Sequence, residues 1–124
     1  MAHVVFNGTV MRGQPQHANL EGATFLEDVQ TAPAYRLYSI VDRYPAMLRD
    51  DEHGGSIAAE LYEVPDARWP RIRDSEPPGL YRGPVELADG LWVDGMLGDA
   101  AFVESSDAIE ITRFGGWRAY LASR

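Results

Sequence analysis

A short loop near the start of the chain combines the features of a small binding site. The apolar run at residues 4–6 predicts a buried strand, and Asn7-Gly8 ends it in a tight turn. After that turn, successive backbone N–H groups can face one pocket and bind an anion or a carbonyl oxygen. A plain turn without a ligand is the alternative. The predicted substrate-binding residues are Asn7, Gly8, Thr9, Val10, Met11, Arg12, whose charge would hold an anion, and Gly13.

A glutamate in the middle of the chain has the spacing of a proton-transfer group. Residues 66–76 favour a helix, and within it Trp69, Ile72 and Glu76 lie on one face. Because Trp69 and Ile72 should face the core, we expect Glu76 at the edge of the interior or of a cleft. Burial and the helix dipole would both raise its pKa towards neutrality, as a catalytic glutamate requires. An exposed glutamate on a frayed last turn is the alternative.

Two further side chains could border the same pocket, and one polar cluster is not expected to do chemistry. His17 follows the loop in a mildly helical segment at residues 14–22, and Tyr81 begins a later strand. The adjacent acidic residues and histidine at 50–53 resemble a metal cluster on paper. Four neighbours in a glycine-ended loop rarely converge on one ion, so we predict a solvated turn there and no metal site.

Composition limits the chemistry and the partners that the chain can have. Its formal net charge of −8 argues against a surface for nucleic acid or an anionic membrane. Cysteine is absent, and all eleven basic residues are arginines, so thiol and lysine Schiff-base chemistry are excluded. No apolar run is long enough to cross a bilayer, and no leader pattern is present. We therefore expect a cytoplasmic protein of one domain, residues 1–124, without a cofactor.

The remaining pattern predicts an α+β domain whose sheet is strongly curved or closed, with about six strands and short helices between them. Asp66 would cap the mid-chain helix, Pro70 lies in its first turn, and residues 88–90 form a hairpin turn. The three tryptophans are expected in the core. Six strands are predicted, at residues 4–6, 34–41, 56–64, 80–87, 91–97 and 109–112. Residues 24–29 could form a further strand, residues 44–49 form an extended piece, and a last helical turn covers 117–123.

Several of these motifs together resemble the γ-glutamylcyclotransferase-like family. Members open with a strand leading into a Tyr-Gly-Thr-Leu loop, and residues 7–10 occupy that position here, with asparagine in place of tyrosine. Tyr44-Pro45, the run at residues 55–64 and the Tyr81-Arg82 pair match later motifs. Glu76 stands at the position of the family's catalytic glutamate, with Pro77 where the family has glycine. The resemblance implies a small mixed β-barrel with flanking helices.

A closer resemblance is to the C-terminal domain of allophanate hydrolases, a branch of the same fold. It is carried by residues 7–13, by Ala-Pro-Ala-Tyr-Arg-Leu-Tyr at 32–38, and by Phe-Gly-Gly-Trp-Arg-Ala-Tyr-Leu at 114–121. That domain is associated with removing a carboxyl group from an N-carboxylated, urea-type compound. In the cyclotransferases, loop amides hold the substrate while the glutamate takes a proton from its amine, and 5-oxoproline is released.

These observations leave three hypotheses for function. The first is an enzyme domain acting on an amide- or urea-type, N-carboxylated small molecule, with Glu76 moving a proton. The second is a γ-glutamyl cyclotransferase, and the third is a binding or assembly module without catalysis. The expected partners are a small-molecule substrate and a separate amidase, and the sequence leaves open whether the chain forms a homodimer.

Overall fold

The computed structural model describes all residues, Met1–Arg124, as eight strands in two sheets with three short α-helices. The strands are β1 (Ala2–Phe6), β2 (Thr24–Gln30), β3 (Tyr35–Ile40), β4 (Tyr44–Arg49), β5 (Ala58–Val64), β6 (Leu80–Glu86), β7 (Trp92–Gly98) and β8 (Ile109–Glu110). The α-helices are α1 (Trp69–Ser75), α2 (Ala100–Glu104) and α3 (Trp117–Ala122). Single 3₁₀ turns span His17–Leu20, Asp66–Arg68 and Thr112–Phe114.

The larger sheet has five strands in the order β2-β5-β1-β7-β6, and β1 is its central strand. β1 pairs with β5 in the antiparallel and with β7 in the parallel direction. Val4, Val5 and Phe6 are all buried, as expected for a strand covered on both faces. The predicted first strand is thus confirmed. Because β1 ends at Phe6, the loop that begins at Asn7 lies at one edge of the core.

This sheet curls until its two edge strands, β2 and β6, meet at one end. An isolated bridge joins Thr31 to Leu87, with Ala32 N–H donating to Glu86 O and Ala88 N–H donating to Gln30 O, both at 2.9 Å. Along the rest of their length the edge strands each pair with one neighbour only. The predicted strong curvature is therefore present, whereas a single closed barrel of about six strands is not.

The smaller sheet, ordered β4-β3-β8, packs against the larger one and completes the core. Gly98 of β7 permits close approach, since a Cβ there would lie 2.9 Å from Cβ of Ala46 in β4. The hydroxyl of buried Tyr35, on β3, accepts a hydrogen bond of 2.9 Å from the backbone N–H of Glu86 in β6. These contacts hold β3 and β4 against the larger sheet.

The mid-chain helix is shorter than predicted, and the reason is local. A 3₁₀ turn at Asp66–Arg68 precedes α1, which ends at Ser75 and leaves Glu76 as an extended C-cap with φ −68° and ψ 138°. A residue before proline is driven from the helical region, and Pro77 follows Glu76. Pro70 lies in the first turn of α1 as predicted. Asp66 caps nothing and instead pairs with the N-terminal ammonium group at 3.3 Å.

Two other expectations need correction. Trp92 is not a core residue, because 54% of it is exposed at the start of β7, whereas Trp117 is buried as expected. No helix was predicted between residues 98 and 109, yet α2 forms there. The residue that indicates this helix in the sequence is Asp99, because its carboxylate accepts a hydrogen bond of 2.9 Å from the backbone N–H of Phe102 and so caps the helix.

Candidate functional site

Glu76 and the first loop line one small cavity. Its walls include Asn7, Gly8, Thr9 and Val10 from the loop after β1, with Glu76 from the C-cap of α1. Phe6, Tyr44, Pro45, Leu80 and Met96 complete the lining. Asn7 and Glu76, which are 69 positions apart in the sequence, therefore lie in the wall of the same cavity. Half of the residues that line this cavity are apolar.

The loop is built so that three consecutive amides are free. The carbonyl oxygens of Gly8 and Thr9 accept bonds from the N–H groups of Met11 (3.1 Å) and Gln16 (2.8 Å). The carbonyl of Val10 lies 2.9 Å from Nδ1 of His17. The N–H groups of Gly8, Thr9 and Val10 donate no hydrogen bond within the chain. Such a row of unpaired donors suits an anion or a carbonyl oxygen.

Gly8 is required by close packing, not by an unusual φ. A Cβ on Gly8 would lie 2.8 Å from Cδ of Pro45, the second residue of β4. Its φ is not in the left-handed region, whereas that of Gly13, at the far end of the loop, is 80°. The positive φ that Asn-Gly turns often require is therefore not the reason for glycine at position 8, and the contact with β4 is.

Burial raises the pKa of Glu76 to about 7. The carboxyl group makes no hydrogen bond or ion pair that would favour its charged form, and Glu76 lies at the C-cap of α1. Near neutral pH such a group exists in both protonation states. It can therefore release or accept a proton at the cavity wall.

The cavity is narrow. The volume open to the centre of a water molecule is about 20 Å³, which is room for about one water. Tyr44 forms part of its wall, and the Tyr44 hydroxyl donates a hydrogen bond of 2.8 Å to the carbonyl of Pro78. Burial also raises the pKa of the Tyr44 phenol. Tyr44 is not among the predicted site residues, although Tyr44-Pro45 matches one of the family motifs.

The structure places five of the predicted site residues away from this cavity. Met11 is buried in the main core, and Gly13 lies in an exposed turn. His17 contacts the carbonyl side of the loop through its ring, where it supports the loop's shape. Tyr81 is 51% exposed on β6 and borders a different surface depression, together with Arg49 and Asp99. Arg12 is the fifth, and its position has a clear cause.

Arg12 is held by a buried carboxylate that sequence analysis missed. Glu60, 0% exposed, accepts hydrogen bonds from Arg12 N–H (2.9 Å), Arg12 Nε (2.8 Å), Tyr62 Oη (2.9 Å) and Arg118 Nη1 (3.0 Å). A second nitrogen of Arg12 pairs with Asp28 at 2.6 Å, and its guanidinium lies over the ring of Phe25. Arg12 therefore anchors the loop to β5 and β2 instead of facing the cavity.

The charge of Glu60 follows from these donors. Burial alone would favour the neutral acid, but the hydrogen bonds from Arg12, Tyr62 and Arg118 outweigh it and hold the pKa of Glu60 below its usual range. The available sequence signal was alternation along β5, which places Glu60 on the same face as Tyr62. That pattern indicates a shared face, but it does not identify distant residues such as Arg118 as partners.

The sequence and the α+β fold match a defined family. The model of the allophanate hydrolase C-terminal domain matches residues 2–122, and the chain belongs to this family. The predicted resemblance is thereby confirmed. Urea amidolyase of Saccharomyces cerevisiae is 32% identical over 120 residues, which are 91% of this chain and 6% of that protein. The chain thus spans a small part of the curated relatives it matches.

Solved structures give the same result. A uropathogenic E. coli-specific protein superposes with a TM-score of 0.93 at 37% identity, covering 99% of this chain and 97% of that one. Allophanate hydrolase of Kluyveromyces lactis gives 0.92 at 28% identity, covering 98% of this chain and 21% of that one. An AIG2-like protein of Mus musculus gives 0.64 at 25% identity, with coverages of 82% and 78%.

Two further findings concern partners and ligands. None of the helices has the length and hydropathy needed to pass through a lipid bilayer. No three His, Asp or Glu side chains are grouped so that they could hold a metal ion. The acidic loop at residues 50–53 illustrates why, since Asp50 accepts hydrogen bonds from the backbone N–H groups of Glu52 and His53.

Proposed function

We propose that this chain is an enzyme domain that acts on an N-carboxylated, urea- or amide-type small molecule. The observation that carries the proposal is the cavity shared by Glu76 and the free amides of Gly8, Thr9 and Val10. Membership of the allophanate hydrolase C-terminal family, and the likeness to urea amidolyase, supply the class of compound. A separate amidase, acting on the product or supplying the substrate, is the partner this implies.

The proposed step is loss of the carboxyl group as carbon dioxide. The protonated Glu76 gives its proton to the nitrogen that bears the carboxyl group, while the bond between that nitrogen and the carboxyl carbon breaks. The bonding electrons stay on nitrogen, and the carboxylate leaves as carbon dioxide. The loop amides hold the remaining carbonyl oxygen of the urea or amide. Water then returns a proton to Glu76, and a pKa of about 7 suits both directions of transfer.

The test is carbon dioxide release from allophanate, with 5-oxoproline release from γ-glutamyl amino acids assayed in parallel. Glu76→Gln keeps the size of the side chain and removes proton transfer, so turnover should fall by roughly 10²–10⁴-fold. Glu104→Gln, an exposed glutamate at the end of α2, is the matched control and should leave turnover unchanged. Full turnover by folded Glu76→Gln would remove Glu76 from the mechanism, and 5-oxoproline release would favour the cyclotransferase.

One observation favours a second candidate, a binding or assembly module without catalysis. The cavity has room for about one water, so a substrate needs the wall near Tyr44 to open before it reaches Glu76. A module of this kind would bind carboxylated ureas without converting them. A thermal-shift series with the same compounds separates the two, because stabilisation without product supports the module and product formation excludes it.

A further inference from the structure

A larger groove adjoins the Glu76 cavity on its outer side. It measures about 420 Å³ on the same scale as the inner cavity, and Thr9 and Tyr44 line both spaces. Ser75 and Pro77, the residues on either side of Glu76, also lie in its wall. A ligand too large for the inner cavity can therefore lie in this groove and direct one end towards Glu76.

The groove differs from the rest of this acidic chain in its charge. The chain has 19 Asp and Glu residues, but none lines the groove, and Arg43 is the one charged residue that does. Gln16 and Asn19 add amide groups. One amide hydrogen bond, from Asn19 Nδ2 to Gln16 Oε1 at 3.0 Å, leaves the amide nitrogen of Gln16 free to donate. The lining thus offers donors and one positive charge.

Arg43 has no carboxylate partner. Seven of the eleven arginines lie within 4.0 Å of an Asp or Glu oxygen, and Arg43 is not among them. Its neighbour Asp42 is occupied elsewhere, by Ser39 Oγ (2.7 Å), Tyr120 Oη (2.6 Å) and Arg124 Nη2 (3.1 Å). In a chain of net charge −8, an exposed guanidinium left free beside a groove is available for an anion.

The backbone that presents Arg43 is strained. Val41 and Asp42 have φ values of 44° and 59°, in the left-handed region, and Arg43 N–H donates to Ile40 O at 2.9 Å to close the turn. A β-branched residue adopts this region rarely, and such strain persists where surrounding contacts enforce it. The three bonds to the Asp42 carboxylate enforce it here. They fix the direction in which β4 starts, and with it the position of Arg43.

We propose that Arg43 is the specificity-determining residue that binds the carboxylate of a small urea- or amide-bearing acid in this groove. The inference rests on the proposed function, since it places the ligand's urea or amide end towards Thr9 and Glu76. Charge-assisted contacts from a guanidinium to a carboxylate are short and strong, and the fork of donors also orients the ligand. The carboxylate that Arg43 binds is a second one, remote from the N-carboxyl group that leaves at Glu76, so Arg43 acts on binding and not on the proton transfer.

The test measures binding of hydantoate, a stable urea that carries a carboxylate, by calorimetry. Arg43→Gln should weaken binding about 10- to 100-fold. Arg43→Lys should retain part of the affinity, and salt should weaken binding to the unsubstituted protein. The amide of hydantoate, which is neutral, should bind equally to all three proteins. Arg71→Gln, at an exposed arginine of α1 without an ion pair, should bind hydantoate normally.

Three results would overturn the proposal: undiminished hydantoate binding to Arg43→Gln, an equal loss in Arg71→Gln, or no binding to the unsubstituted protein at millimolar concentration. Melting curves of each variant show whether the turn is intact, and Arg43→Lys reports the role of charge if Arg43→Gln is unstable. Binding that depends on Arg43 without turnover of any substrate would refute the proposed enzyme and leave this inference standing. If turnover depends on Glu76 but hydantoate binding does not depend on Arg43, this inference is refuted and the proposed enzyme stands.

Discussion

Glu60 and Glu76 lie in two regions of one small protein, and their pKa values are shifted in opposite directions. Glu60 has no solvent-exposed surface, yet two arginines, a tyrosine and a backbone amide keep it ionised. Glu76 keeps some exposed surface, yet without any donor its pKa rises to about 7. The exclusion of solvent alone therefore does not decide the charge of a carboxyl group, and the donors that surround it contribute as much.

Both glutamates lie next to the loop between β1 and the first 3₁₀ turn, and each has a different role there. Glu60 fastens one end of the loop through the N–H and guanidinium of Arg12. This contact, and the bonds to the loop's carbonyls, leave the amides of Gly8, Thr9 and Val10 free beside Glu76. The hydrogen-bonded carboxylate of Glu60 thus helps to fix the loop that lies beside Glu76, whose carboxyl group makes no hydrogen bond.

The largest effect on stability is expected from breaking the Glu60 network. Glu60→Ala leaves the Tyr62 hydroxyl and the Arg12 N–H without their acceptor, so unfolding free energy should fall by about 2–4 kcal/mol. Urea denaturation at neutral pH measures it. Because the pKa of Glu60 is lowered in the folded state, its contribution is present above the usual value of 4.5 and is lost as pH falls below it.

The control for Glu60 is a glutamate on the same strand. Glu63→Ala removes a partly exposed side chain that lies 3.8 Å from His3, and stability should change by about 0.5 kcal/mol or less. Equal losses in the two variants would mean that the Glu60 network adds nothing beyond its strand position.

Glu76→Gln should raise the free energy of unfolding, whereas Glu60→Ala lowers it. Its pKa is raised from 4.5 to about 7, so the folded state favours the protonated acid, and stability is lost as pH rises through that window. The glutamine variant avoids this loss. It should match the unsubstituted protein near pH 5 and exceed it by about 2–3 kcal/mol near pH 8 in urea denaturation.

Glu104→Gln serves again as the control and should show no such pH-dependent gain. If the stability advantage of Glu76→Gln over the unsubstituted protein is no larger at pH 8 than at pH 5, the carboxyl group is not buried as described. A variant that gains stability while it loses turnover would indicate that burial of Glu76 is maintained for function.

The smallest effect is expected at the cavity wall. Tyr44→Phe removes the hydrogen bond to Pro78 O and should cost about 0.5–1.5 kcal/mol. Freer access of water should also lower the pKa of Glu76 towards 4.5, which carboxyl NMR titration can follow. Tyr38→Phe, whose hydroxyl has no hydrogen bond, should change neither quantity. An unchanged Glu76 titration in Tyr44→Phe would show that the hydroxyl does not close the site.

Much of the architecture was predictable because it depends on local pattern. Alternation and β-branched residues located the strands, and Gly90 marked the hairpin turn that joins β6 to β7. The spacing of Trp69, Ile72 and Glu76 correctly placed the first two towards the core. The division into two sheets was not predictable, since it depends on pairings such as that of Tyr38 with Glu110, which lie far apart in the chain.

The candidate site shows the same limit. Sequence alone determined that a glycine loop follows a buried strand, that Glu76 precedes a proline near the end of a short helix, and that the chain resembles a known family. Each of the first two features arises from residues within one turn or strand of each other, and the resemblance rests on short motifs of the same kind. Only the tertiary structure decided that Arg12 pairs with Glu60, that Tyr44 lines the cavity, and that Arg43 has no carboxylate partner. Ion pairs, burial and cavities depend on which distant side chains meet, and local pattern carries little information about that.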